Sequence, residues 1–178
     1  MTLNRFFTFF FLIVAFLNIS QAQKVKKYEY NPDGSEYTVV FPGTPDIKER
    51  YVKLTNGKLF QYQEAIYQSE KYLSVMTAET VPYFEKNYTP EETKELLLKA
   101  AADYTDAKGW INVVIDYEEN YLGKVVTISG YRKFDEYTVA YGGKYILGDY
   151  SILCVSYGAP SSKYPNKIIK KFIESIRR

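Results

Sequence analysis

The chain contains no histidine in 178 residues, and that absence removes more chemistry than any residue present supplies. Without an imidazole there is no Ser-His-Asp or Cys-His nucleophilic site, no histidine-containing zinc site, and no side chain that ordinarily titrates near neutral pH. A single cysteine, Cys154, excludes an intramolecular disulfide and a thiolate metal cluster, so packing alone must hold the fold. A strong charge of one sign is missing too. The balance of 23 Lys+Arg against 21 Asp+Glu is too even for a dedicated nucleic-acid binder, which needs a basic excess to displace counterions from phosphates. The sequence also lacks G-x-S-x-G, S-x-x-K and any phosphate-cradling glycine loop. No cofactor and no resident metal are expected, and the chain does not read as an enzyme.

What is present begins with an export leader. Arg5 supplies a basic start, Phe6–Leu17 is an apolar run broken only by Thr8, and Ser20-Gln21-Ala22 places small residues where a signal peptidase reads. The run is shorter than the roughly 18 to 20 residues that span a bilayer. Cleavage before Gln23 is therefore expected, giving a leader over 1–22 and one globular domain over 23–178. No cysteine stands directly after the cleavage site, so no lipid anchor is expected. The expected product is a periplasmic or secreted protein, soluble and monomeric, with no membrane span and no nucleic-acid partner.

All 19 tyrosines follow the leader, whereas phenylalanine clusters within it. Tyrosine suits half-buried strands with a packed ring and a wet hydroxyl, so a β-rich domain is expected; a tyrosine platform for sugar or peptide is the functional alternative. Tyr37, Val39 and Phe41 alternate on one strand that stops at Pro42-Gly43-Thr44-Pro45. Strands over Ile47–Leu54 and Lys58–Tyr67 flank Asn56-Gly57, a two-residue hairpin signal, and a turn at Gln68–Lys71 leads to a strand over Tyr72–Thr80. Thr89-Pro90-Glu91-Glu92 then combines an N-cap, a first-turn proline and a capping-box glutamate. Leu96, Leu97, Ala100, Ala101 and Tyr104 follow at helical spacing, and Lys108-Gly109 supplies a basic last turn and a left-handed stop.

Ile111–Ile115, Lys124–Tyr131, Glu136–Tyr141 and Tyr145–Tyr157 read as strands, with Gly142-Gly143 as the turn between the last two and Asp116–Leu122 as a surface loop. Ile152 and Cys154 fall on one face of the final strand and Leu153 and Val155 on the other, which predicts burial on both sides and an inert Cys154. Pro165 opens a second helix with Ile168, Ile169, Phe172, Ile173 and Ile176 on its apolar stripe and Arg177 and Arg178 at its end. Lys163, Lys167, Lys170 and Lys171 surround that stripe, and are read as its solvated outer face.

This order of motifs resembles the PsbP/Mog1-like fold family. The residues that carry the resemblance are Tyr37–Pro45 as opening strand and "FPG-P" corner, the capped mid-chain helix, Gly123 ahead of Val125–Tyr131, the expected hairpin Tyr137–Tyr145 leading into Tyr150–Tyr157, and the closing helix Ile168–Arg178. The resemblance implies an α+β fold, an α/β/α sandwich with a central antiparallel sheet, one mid-chain helix and one C-terminal helix. It also implies a non-catalytic accessory or binding module, acting on a protein partner in the envelope or outside the cell.

The expected contact surface is a tyrosine-rich loop around Tyr117, Glu118, Glu119 and Tyr121. Two rival readings stay open. A carboxylate-dependent glycan hydrolase would use Asp116 and Glu118 with Asp103 and Asp106, since two carboxylates suffice for glycoside hydrolysis and the first two would share a strand face; that pair would equally suit Ca²⁺. A small-ligand carrier would need an apolar cavity between sheet and helix.

Overall fold

The computed structural model describes residues 26–178 except 34, 54–58, 83–87 and 150. The expected export leader, its expected cleavage site and the expected Asn56-Gly57 turn lie outside those residues. In chain order the elements are β1 (Tyr28–Tyr30), β2 (Val39–Phe41), β3 (Asp46–Lys53), β4 (Leu59–Ser69), β5 (Ser74–Pro82), α1 (Pro90–Ala107), β6 (Ile111–Asn120), β7 (Gly123–Lys133), β8 (Thr138–Leu147), β9 (Ser151–Pro160) and α2 (Lys167–Ile173). β3 to β9 form one seven-stranded antiparallel sheet in the order β3-β4-β5-β9-β8-β7-β6, and β1 and β2 pair separately.

Two meanders build the large sheet. The first is β3-β4-β5; the second is β6-β7-β8-β9, and they join where β5 meets β9. α1 carries the chain from β5 to the far edge, where β6 begins. Its start is set locally: Thr89 Oγ1 accepts from the Glu92 amide at 3.2 Å while Glu92 Oε2 accepts from the Thr89 amide at 2.8 Å. Its end is a Schellman motif. Gly109 sits at φ +64°, Trp110 N–H reaches the Thr105 carbonyl at 3.0 Å and Gly109 N–H reaches the Asp106 carbonyl at 3.0 Å.

Strand parity divides the core in two. Leu153 and Val155 join Val125, Ile146, Met76 and Ala78 beneath Tyr37, Val39, Phe41 and the α2 residues Ile169 and Phe172. Ile152 and Cys154, one residue out of phase, join Val126, Ile128 and Tyr145 beneath Leu97, Ala101 and Trp110. β9 is covered on both sides, as the unbroken apolar run Ile152–Val155 predicts. Tyr37 locks the two-stranded sheet onto the large one: its buried hydroxyl lies 2.7 Å from the Leu122 carbonyl and 3.1 Å from that of Leu147.

Four sequence expectations need correction. Gly142-Gly143 is not a turn; β8 runs straight through it, and the turn comes after Leu147, where Gly148 N–H bonds the Ser151 carbonyl at 2.8 Å. The glycines serve close packing. Tyr141 pairs with Gly158 and Gly142 with Tyr157 across β8 and β9, so each ring lies over its partner's missing side chain. A Cβ on Gly142 would stand 2.6 Å from the Tyr157 ring, and one on Gly143 2.6 Å from the Val155 carbonyl oxygen.

Asp116–Leu122 is not a loop either. β6 continues to Asn120 because Val113, Ile115 and Tyr117 keep an inward alternation under α1, while Val114, Asp116 and Glu118 between and beyond them are exposed on an edge strand. Only Tyr121 and Leu122 form the turn, and Gly123 beyond them adopts φ +98°. The turn before β5 is displaced as well, to residues 70–73 rather than Gln68–Lys71. The last helix is shorter than its stripe suggests. Asn166 caps it, not Pro165, and it ends at Ile173. Ile176 is still buried, but Arg177 leaves the helix to exchange backbone hydrogen bonds of 2.8 and 3.1 Å with Thr38. The unpaired edge of β2 thus captures the chain end.

Candidate functional site

A groove runs alongside α2. Asn166 positions one wall: its Oδ1 accepts from the Ile168 and Ile169 amides at 3.2 and 3.1 Å, while its Nδ2 donates to Ser74 Oγ at 2.7 Å. One side chain therefore starts the helix and ties it to the head of β5. Ser74 Oγ in turn donates to the Tyr72 carbonyl at 3.0 Å, shaping the β4–β5 turn that forms the facing wall, where Leu73 adopts φ +50°. The chain end closes the third side, because Ser175 Oγ accepts from the Val40 amide at 3.0 Å and keeps the last residues against β2.

Between these walls is an open groove of about 830 Å³. Lys167 and Lys171, one helical turn apart, line it from α2; Lys71 enters from the turn, Lys27 from the approach to β1 and Arg177 from the chain end. Among the described residues of the lining, Glu174 is the one carboxylate. Arg177 is engaged with Glu29 at 2.9 Å. Among the described residues Lys27, Lys71, Lys167 and Lys171 have no carboxylate within ion-pair distance. Half-buried Tyr67 and Tyr72 and the aliphatic Val40, Pro42 and Ile168 give the groove an apolar side. Such a site can take an anion that also carries a nonpolar surface.

A second polar cluster lies on the other face of the sheet, beside the end of α1. Glu79 on β5 stands directly opposite Glu64 on β4, with Cys154 across on β9. Arg50 Nε holds the Glu64 carboxylate at 2.7 Å. Burial, and then the Glu64 charge, push the Glu79 carboxyl up to about 7, against the pull of Lys108, Arg50 and a hydrogen bond with Tyr62. Burial and then the nearby Glu79 carboxylate also raise the Cys154 thiol well above its usual range, which leaves it unreactive as the strand pattern predicts.

The residues singled out in the sequence do not assemble into one site. Tyr117, Glu118 and Glu119 sit on edge strand β6 and only Tyr121 lies in the turn, so the expected contact loop is a strand edge. Alternation splits it: Tyr117 faces α1, with Lys94 Nζ 5.1 Å from its ring centre and its hydroxyl bonded to Glu119 at 2.7 Å. Withdrawal from water and that hydroxyl bond push the Tyr117 phenol up to about 12. Glu118 points the other way, toward Lys144 at 3.9 Å and Asn120 at 2.8 Å. Asp116 shares the Glu118 face, as the strand reading requires. Asp103 and Asp106 are exposed on α1, which packs on the opposite face, and Asp103 is paired with Lys99 at 3.0 Å. These four carboxylates therefore do not converge across a cleft.

Sequence reasoning found Lys167 and Lys171 but read them as a solvated helix face, and it missed Glu64 and Glu79. The signal for Glu79 was a carboxylate inside a strand that is otherwise uncharged, Ser74–Pro82. Among the described residues no three acidic or sulfur side chains group closely enough to hold a metal ion, and no helix is long and apolar enough to cross a membrane. No family model and no curated protein matches the chain.

Proposed function

We propose that the chain is an exported, non-catalytic binding module with the α/β/α sandwich architecture implied by its PsbP/Mog1-like resemblance, and that the basic groove beside α2 is where it takes an anionic partner. The observation that carries this reading is the concentration of four unpaired ammonium groups around one concave, partly apolar surface, on a chain whose overall charge is nearly balanced. Evenly solvated lysines would spread over the surface; these converge from three separate segments. The groove volume falls within the range of about 300 to 1,000 Å³ typical of ligand sites. The absence of histidine agrees with binding rather than turnover.

The test is affinity capture from native envelope and medium, with the purified protein and its Lys167→Glu/Lys171→Glu variant side by side. A partner retained by the first and lost by the second is the expected result. Equal retention, or none by either, refutes a binding role for the groove.

A further inference from the structure

We infer that the ligand of this groove is an acidic oligosaccharide, one that carries carboxylate or sulfate groups on successive sugar units. The inference rests on the binding-module reading above and names the chemistry of its ligand. Three observations combine. First, the cations are dispersed: Lys27, Lys71 and the Lys167/Lys171 pair come from different walls, with Arg177 beside them already held by Glu29, so a ligand with several separated charges suits them better than one compact anion. Lys167 and Lys171 are one helical turn apart, about 6 Å, which is of the order of the repeat along a sugar chain.

Second, four of the five cations are lysines. An ammonium is a hydrated point charge that follows mobile anions, whereas a planar bidentate contact would favour arginine. Third, the walls offer Tyr67 and Tyr72 at half burial beside Ile168 and Pro42, with Lys71 Nζ over one face of the Tyr72 ring, 5.6 Å from its centre. A tyrosine ring presents a flat apolar face to the C–H side of a sugar and keeps its hydroxyl wet. The groove is open rather than enclosed, so a polymer segment can lie along it. A bilayer would meet the rim of a concavity, not a protruding apolar face, and a folded acidic protein needs a broader surface of about 800 Å² on each partner.

Calorimetric titration of the purified protein should use four probes at one salt concentration: an oligogalacturonate, a sulfated oligosaccharide, a neutral oligosaccharide of equal length, and a polyaspartate of equal charge. The expected result is binding of one or both acidic sugars, with the neutral sugar and polyaspartate each weaker by about tenfold or more. Lys167→Glu/Lys171→Glu should weaken acidic sugar by about tenfold with an unchanged thermal midpoint. Tyr72→Ala, on an exposed turn, should weaken the sugar and leave polyaspartate as it was. Polyaspartate binding as tightly as the acidic sugars overturns the inference while leaving the anionic groove intact. Neutral sugar binding equally well overturns it also, and binding of none of the polyanions removes the function reading with it.

Discussion

Replacing Glu79 with glutamine should stabilise this protein at alkaline pH and leave it unchanged in acid. Glu79 loses water on folding and is set directly across from Glu64, whose charge Arg50 holds in place; its carboxyl rises from the ordinary 4.5 to about 7. The sign follows from proton counting. Below 4.5 both folded and unfolded chains hold the proton and nothing is lost. Between 4.5 and about 7 the unfolded chain releases it while the folded one keeps it, so stability falls as pH rises, and above 7 the whole deficit is present. That gap corresponds to about 3 kcal/mol. For a domain of this length it amounts to roughly 6 to 12 °C in thermal midpoint.

Glu79→Gln keeps the shape and the capacity to accept from Tyr62 but cannot ionise. Urea denaturation of both proteins from pH 4 to 8.5 should show a difference near zero at the acid end that grows through neutrality to about 3 kcal/mol. The window is clean because no histidine titrates within it. A difference that stays constant across the range would refute the argument, since it would mean Glu79 ionises in the folded protein as it does in the unfolded chain. Glu64→Gln should leave the onset of the loss near 4.5 but end it at a lower pH and make it smaller, because it removes the neighbouring charge that raises the Glu79 carboxyl but not the burial.

Gly143→Ala should destabilise the fold by about 2 kcal/mol in urea, because the new methyl meets the Val155 carbonyl oxygen, which cannot rotate away; a loss below about 0.5 kcal/mol would show that β8 and β9 separate easily. Tyr37→Phe leaves the Leu122 and Leu147 carbonyls without the hydroxyl that serves both, and should cost about 1 to 3 kcal/mol by the same assay. Cys154 should resist a thiol reagent in the native protein and react only at the rate of unfolding, since it is buried and its thiol is held protonated. Fast native labelling would contradict both statements.

The start, span and left-handed stop of helix α1 were readable because those signals are local; the expected basic last turn is absent, since Lys108 is the C-cap beyond Ala107. The capping box, the apolar spacing through Leu97 and Ala101, and the left-handed Gly109 each involve residues within two turns of one another. Most strands were readable for a similar reason, since alternation along Tyr37, Val39 and Phe41 or along Ile152–Val155 reports which face is buried. Where local signals pointed the wrong way, a distant residue had overridden them. Gly142-Gly143 has the composition of a turn, and only the rings of Tyr157 and Tyr141 across the sheet show why glycine is needed inside a strand. The acidic run Asp116–Glu119 has the polarity of a loop, yet pairing with β7 extends it as an edge strand. The stripe ending at Ile176 looks helical, yet Thr38 draws Arg177 into a bridge.

The amino-acid sequence by itself determined what chemistry is absent, where the first helix lies, and that β9 is buried on both faces, because composition, capping and periodicity are properties of neighbouring residues. Only the tertiary structure decided the site. Lys27, Lys71 and Lys171 are separated by up to 144 positions, and nothing short of the fold brings them to one groove. Glu64 and Glu79 meet only because the β4–β5 register sets them opposite. Charge and burial act through space, so a cluster assembled from distant strands leaves no periodic trace along the chain.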